Sequence, residues 1–189
     1  MRSPTRIRVH INVPFMPIES DWFEGIIDDL LKRDELGRTI ETRVVRRPTG
    51  EISHREVDIE VVDVERTVER LGYHLVRQGA PKGSRLEYML DGRSVILRIG
   101  VNDVIAIYIK RSRLSAESGE DDLNDFVLTV NTLVHGHTIF PMVWRGRWEI
   151  AVYLHGDAEH IHREIDAYVA ASPICRDARV VALSNDLRA

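Results

Sequence analysis

The sequence predicts an α+β fold of two tandem ferredoxin-like units, each with the element order βαββαβ, that arose by internal duplication. Strand and helix patterns follow one another in the same order twice along the chain. The motif Gly37-Arg38-Thr39-Ile40 returns as Gly136-His137-Thr138-Ile139 before the second hairpin. We therefore expect antiparallel sheets with helices on one face. The first unit is expected at residues 1–91 and the second at residues 92–189, packed as one compact body.

In the first half, polar and apolar residues alternate over residues 6–13, which predicts a strand with one buried face. Ser20 is a suitable N-cap for the following helix, whose apolar residues recur at helical spacing until Gly37 ends the pattern. Gly79 is expected to cap a second helix at its C-terminus. The remaining patterns predict a hairpin, that second helix and a closing strand, at residues 39–47, 56–61, 64–75 and 85–90.

The second half repeats this order, apart from one additional strand that includes Ser94. A polar, acidic stretch precedes its first helix, and a hairpin turns about Arg145-Gly146-Arg147. The predicted strands and helices lie at residues 94–99, 104–110, 123–133, 138–144, 148–154, 158–169 and 179–183.

Composition excludes several classes of protein. Hydrophobic residues make up 43% of the 189 residues and charged residues 30%, so the chain can build a core. The net charge of -4, and the lack of evident stacking aromatics on a sheet face, argue against a nucleic-acid partner. Cys175 is the single cysteine, which indicates a reducing, cytoplasmic setting. No apolar run is long enough for a membrane span, so no membrane partner is expected.

The sequence carries no evident set of catalytic residues, no evident metal-binding set and no cofactor motif, which disfavours an enzyme without excluding one. The glycine-rich segment at residues 79–84 follows a helix, whereas a phosphate-binding loop precedes one. No base can be assigned to activate Cys175. His160 and His162 diverge on a predicted helix. A metal site that combines them with His135 and His137 stays open as an alternative.

The strongest candidate for partner binding is the hairpin tip formed by Trp144, Arg145, Arg147 and Trp148. Tryptophan and arginine are enriched at the energetic centres of protein interfaces. Across a tight turn the two indoles could stack as a cross-strand pair. The alternative is that both rings simply cover the end of the sheet core.

An acidic stretch supplies the second candidate, formed by Glu117, Glu120, Asp121 and Asp122. These carboxylates could serve as a docking face for a basic partner such as a nuclease. The alternative is a solvated loop whose acidic residues cap the next helix.

Three segments also carry a resemblance: GAPKGSRL at residues 79–86, the tryptophan-rich hairpin, and PICRDARV at residues 173–180. Together they resemble small bacterial proteins of the toxin-immunity type, over roughly the last three-quarters of the chain. The resemblance implies a protein that binds without catalysis. We therefore expect a cytosolic protein-binding module that acts as an immunity or inhibitor protein and neutralises a bacterial toxin.

An alternative function is a small-molecule regulatory domain or an enzyme, with a ligand site between the two ferredoxin-like units. The expected partner under the first hypothesis is another protein. The sequence leaves a homo-oligomer open.

Overall fold

Two antiparallel sheets and four α-helices make up the computed structural model, which describes residues 4–12, 21–114, 119–134 and 139–183. The α+β class and the antiparallel sheets are therefore confirmed. The chain separates into two compact units, Met1–Val101 and Asn102–Ala189.

The first unit contains five strands and two helices. Its sheet has the order β2-β3-β1-β4-β5, and every neighbouring pair is antiparallel. The elements are β1 (Thr5–Ile11), α1 (Asp21–Arg33), β2 (Gly37–Arg46), β3 (Ile52–Val61), α2 (Val64–Arg77), β4 (Arg85–Leu90) and β5 (Arg93–Arg98).

Alternation along the central strands of this unit separates a buried apolar face from a polar one. Ile7 and Val9 of β1 are fully buried, as are Val57 and Ile59 of β3. The apolar stripes of α1 and α2 supply the other buried side chains of this core: Phe23, Ile27, Leu30, Leu31, Val68, Leu71 and Leu75.

Local signals set the ends of α2. The Asp63 side chain accepts a hydrogen bond from the backbone N–H of Arg66 at 3.0 Å, which caps the N-terminus. Gly79 follows the helix with φ +74°, and its N–H donates to the carbonyl of Val76 at 3.0 Å. The segment at residues 79–84 therefore begins with a helix stop, as the sequence predicts.

The second unit contains four strands in the order β7-β8-β6-β9, again with antiparallel neighbours. Its elements are β6 (Asp103–Lys110), α3 (Gly119–Leu133), β7 (Ile139–Arg145), β8 (Glu149–Gly156), α4 (Ala158–Ala171) and β9 (Arg179–Ala182). Residues of both helices join alternate residues of β6 and β8 in one core, so both helices cover the same face. That core includes Ile105, Ile107, Ile109, Leu123, Phe126, Val130, Ile150, Val152, Leu154, Ile161 and Ile165.

Both strand orders are consistent with a ferredoxin-like arrangement, and β5 is an added edge strand in the first unit. The sequence predicts this strand in the second unit, whereas the structure places it in the first. It pairs with β4, so that Ser94 lies opposite Met89. Asp91 and Gly92 have φ +50° and +74°, the conformation of a two-residue hairpin turn. These two residues therefore join neighbouring strands of one unit, and the division between the units follows Val101.

Within the described ranges, no helix is long and apolar enough to span a membrane.

Helix α3 offers a matched pair of substitutions that tests its buried face. Phe126 is 1% exposed and Leu128 is 56% exposed. We expect Phe126→Ala to lower the free energy of unfolding by about 3–5 kcal/mol because it leaves a cavity. Leu128→Ala should change it by less than about 0.5 kcal/mol. Urea denaturation of both variants checks this, and equal losses would contradict the assignment of the two faces.

Candidate functional site

The turn between β7 and β8 is held by three hydrogen bonds that fix its backbone. The N–H of Gly146 donates to the carbonyl of Glu149 at 2.9 Å. The backbone N–H of Arg111, in a short 3-10 turn after β6, donates to the carbonyl of Trp148 at 2.9 Å. The Arg111 guanidinium donates through Nη1 to the carbonyl of Gly146 at 3.2 Å. The tip is therefore anchored to the neighbouring strand β6.

The two tryptophans of this hairpin have different surroundings. The residue opposite Trp144 in the strand register is Ala151, so Trp148 is not its cross-strand partner. The Trp144 ring lies against the turn, where a Cβ atom on Gly146 would be 2.2 Å from its Cη2 atom. Trp148 is 72% exposed, and the Arg147 guanidinium carbon lies 4.7 Å from its ring centroid. Of the two indoles, it is therefore Trp148 that is presented to solvent as a large apolar surface.

The acidic start of α3 lies beside this hairpin. Glu120, Asp121 and Asp122 occupy the first turn of the helix, where carboxylates interact favourably with the helix dipole. The Arg145 guanidinium donates to Glu120 at 3.0 Å, and this bond holds the pKa of that carboxyl below its ordinary value. Arg145 and Glu120 therefore bring one residue of each predicted group into contact. Glu117 lies outside the described residues.

The polar face of the first sheet carries a buried carboxylate. Asp58 on β3 is 1% exposed, and it accepts hydrogen bonds at 2.9 Å from Arg8 and Arg43 and a further one from Arg6. Burial by itself would raise the pKa of the Asp58 carboxyl. The hydrogen bonds from Arg8 and Arg6 outweigh burial, so that the pKa lies below 3.8.

Next to this network the same face brings His10, His54 and Glu56 together. One ligand atom from each residue lies within 4.8 Å of the other two. The His10 and His54 rings stack, with centroids 4.1 Å apart. Burial, together with the charges of His54 and Arg85, lowers the pKa of His10 to about 3. Burial also lowers the pKa of His54. Both imidazoles are therefore neutral at pH 7, the form that binds metal ions.

This group has no local signature in the sequence, because its members lie on two strands far apart in the chain. In the sequence, His10 is one polar residue of an alternating strand and carries no further signal. The signal that could have found the group is the antiparallel pairing of β1 with β3, which places His10 opposite Glu56. His54 lies two residues before Glu56 and so shares its face.

The other candidate residues are histidines and Cys175, which either have ordinary surroundings or lie outside the described residues. His135 and His137 are outside the described residues, so a site that includes them stays a hypothesis. On α4, His162 interacts through Nδ1 with Asp166 at 3.1 Å. Burial raises the pKa of the Cys175 thiol to about 11, so this residue is not a thiolate nucleophile at neutral pH.

No protein-family model and no curated protein matches the chain. Among solved structures, a complex of TiaS with a tRNA, AMPCPP and agmatine shares 13% identity at a TM-score of 0.36, over 86% of this chain and 56% of TiaS. A ZRD-deleted mutant of TiaS in complex with agmatine shares 13% identity at 0.34, over 86% of this chain and 57% of that one. The chain thus spans little more than half the length of these TiaS chains. A candidate monooxygenase from Fusobacterium nucleatum shares 8% identity at 0.31, over 96% and 91% of the two chains. Sequence identities and TM-scores this low do not assign an activity to the chain.

Substitution of Gly146 tests whether the Trp144 ring packs against the turn. In Gly146→Ala the added methyl group would overlap that ring and approach the Glu149 carbonyl to 2.9 Å. We expect a loss of about 1–3 kcal/mol in unfolding free energy, with an altered near-ultraviolet circular dichroism spectrum. Gly25→Ala in α1 is the control, because nothing lies within 4 Å of its Cβ position. An unchanged spectrum and stability for Gly146→Ala would contradict this packing.

The Asp58 network predicts a pH-dependent stability. Because the folded pKa lies below the unfolded value near 3.8, the contribution is complete above that value and is lost as pH falls through the folded pKa. We expect Asp58→Asn to cost about 1–3 kcal/mol at pH 7. Its difference from the unmodified chain should shrink below about pH 4, as measured by urea denaturation across pH.

The control for Asp58 is Glu60→Gln, which removes a solvent-facing ion pair with Arg38 and should cost less than about 1 kcal/mol. A difference between Asp58→Asn and the unmodified chain that stays constant down to about pH 2 would contradict the role given to the Asp58 charge.

Proposed function

We propose that this chain is a non-catalytic protein-binding module. Its proposed binding surface joins the hairpin tip, Arg145–Trp148, to the acidic first turn of α3. The observation that carries the proposal is Trp148, which exposes 72% of its surface on a turn held by hydrogen bonds from Arg111 and Gly146. An exposed indole on a fixed backbone is well suited to fill a pocket on a partner.

The geometry of the tip favours binding energetically. Arg147 stacks on the Trp148 ring, so the pair presents an apolar face and a cation together. Because the backbone of the turn is already ordered, a partner would immobilise few additional groups on binding. Most of the area buried at this tip would then contribute to affinity.

Charge around the tip supports a partner with a basic surface. Glu120 is bound to Arg145, and the neighbouring Asp121 and Asp122 are exposed on the helix start. A carboxylate rim next to an aromatic anchor would steer a basic protein toward the surface and speed its association.

In its more specific form, we propose that the module is an immunity or inhibitor protein that neutralises a bacterial toxin in the cytoplasm. The resemblance of three segments to proteins of the toxin-immunity type supports this, as does the acidic rim. Toxins that cleave nucleic acids carry basic surfaces that attract phosphate, and such a surface would complement the rim.

We also propose that the two units derive from an internal duplication. The strand order β7-β8-β6-β9 repeats the order β2-β3-β1-β4 of the first sheet. The motif at residues 37–40, which opens the first hairpin, returns at residues 136–139 before the second. Equivalent order and an equivalent motif at the same point support a common origin.

The binding proposal is tested by capture from the native host under toxin-expressing conditions, followed by affinity measurement with the purified partner. We expect Trp148→Ala to weaken binding by roughly 30-fold or more, because it removes the anchor. Trp22→Ala is the matched control, since Trp22 is 60% exposed but lies on α1 in the first unit. Its binding should be unchanged.

The rim is tested by the pair Asp121→Asn and Asp122→Asn, which should slow association and reduce its dependence on salt. The absence of any stoichiometric protein partner from the host would overturn the proposal. Equal effects of Trp148→Ala and Trp22→Ala would place the interface elsewhere and contradict the assigned surface.

A further inference from the structure

We propose that His10, His54 and Glu56 form a binding site for one divalent transition-metal ion, with Zn²⁺ as the ion that the donor set fits. This site is built from residues on the polar face of the first sheet, whereas the hairpin surface is built from residues of the second unit. The inference does not rest on the proposed protein-binding function.

Strand pairing brings the three ligands together. His10 on β1 lies directly opposite Glu56 on β3, and His54 is two residues away on the same face of β3. One nitrogen from each imidazole and one carboxylate oxygen lie within 4.8 Å of one another. In a tetrahedral zinc site, bonds of about 2.0–2.1 Å place ligand atoms about 3.4 Å apart. Rotation of the partly exposed His54 and Glu56 side chains can close that difference.

The burial of His10 points independently to a ligand. This residue is only 3% exposed, and neither of its ring nitrogens has a hydrogen-bond partner among the described residues. Buried polar atoms are satisfied in the great majority of cases, because an unsatisfied one loses its hydration without compensation. A metal ion bound by one of these nitrogens would supply the missing interaction.

Neighbouring groups orient the other two ligands. Nδ1 of His54 lies 3.2 Å from the hydroxyl of Ser53, and Nε2 lies 3.8 Å from Oε1 of Glu56. The other oxygen of Glu56, Oε2, lies 3.2 Å from Nη2 of Arg43. Each side chain thus has one atom engaged by the surrounding protein and one directed into the group. Such outer contacts position ligands in metal sites.

The chemistry of the donor set favours a first-row transition ion. Two imidazole nitrogens and one carboxylate oxygen suit Zn²⁺ better than Ca²⁺ or Mg²⁺, which prefer oxygen ligands. Arg85 lies opposite His10 on β4, but its guanidinium is bound to Glu87 at 2.6 Å, which offsets its charge. Three protein ligands leave one position of a tetrahedral ion open for water.

The test uses the tag-free full chain, stripped with a chelator and titrated with Zn²⁺ by calorimetry. We expect one ion per chain, and a rise in melting temperature when Zn²⁺ is present. Co²⁺ should give the visible absorption bands of a low-symmetry site. His54→Gln and Glu56→Gln should each weaken Zn²⁺ binding by at least about tenfold and remove the zinc-dependent rise in melting temperature.

His162→Gln on α4 is the matched control, because its imidazole also lies beside a carboxylate, that of Asp166. It should bind Zn²⁺ as the unmodified chain does. The His54 and Glu56 variants keep His10 and the core intact, so their folding can be verified by circular dichroism before titration. Failure of the unmodified chain to bind one ion would overturn the proposal. So would binding that survives both substitutions, or binding that is lost in His162→Gln.

Discussion

The antiparallel register of the central strand pairs is the constraint on which the rest of each unit depends. Side chains alternate between the faces of a strand, so one register decides which residues form the core and which meet on the other face. In the first unit it places Ile7 opposite Ile59 within the core, and Arg8 opposite Asp58 on the polar face. In the second unit, the pairing of β6 with β8 gathers alternate apolar residues beneath both helices. A slip by one residue would exchange core and polar side chains in either sheet.

On the polar face of the first sheet, this register buries a carboxylate that needs charged hydrogen-bond partners. A carboxylate that is almost fully buried, Asp58, is stable there because three guanidinium groups donate to it. Arginine suits this role because its planar guanidinium group carries several N–H donors, and the three arginine side chains remain partly exposed to solvent. Of the 26 basic residues, 23 are arginine, and this network gives at least some of them a structural use. The same network holds Glu56 through Arg43, which links the carboxylate pairing to the histidine cluster.

The two candidate surfaces illustrate why one kind of site is visible in a sequence and another is not. The hairpin tip is local: Trp144 to Trp148 are adjacent in the chain, and a turn between two strands brings them to one end of the sheet. The geometry of the tip nevertheless depends on two contacts. Arg111 anchors the turn, and Gly146 leaves room for the Trp144 ring. The histidine group is non-local, since His10 and His54 lie on different strands with a helix and a further strand between them in the chain. No spacing rule connects them; only the pairing of β1 with β3 does.

Local patterns in the sequence determined most of the strands and helices, the α+β class, the stop at Gly79 and the existence of the exposed hairpin, because periodicity and turn chemistry act over a few residues. The expected boundary between residues 91 and 92 differs from the structure, in which Asp91-Gly92 forms a hairpin turn that joins β5 to the first sheet. Tertiary structure alone decided that Arg145 meets Glu120, that three arginines converge on Asp58, and that two histidines and a glutamate share one face. The physical reason is that these contacts join residues distant in the chain, and their energies are realised only when strand pairing and helix packing bring the residues together.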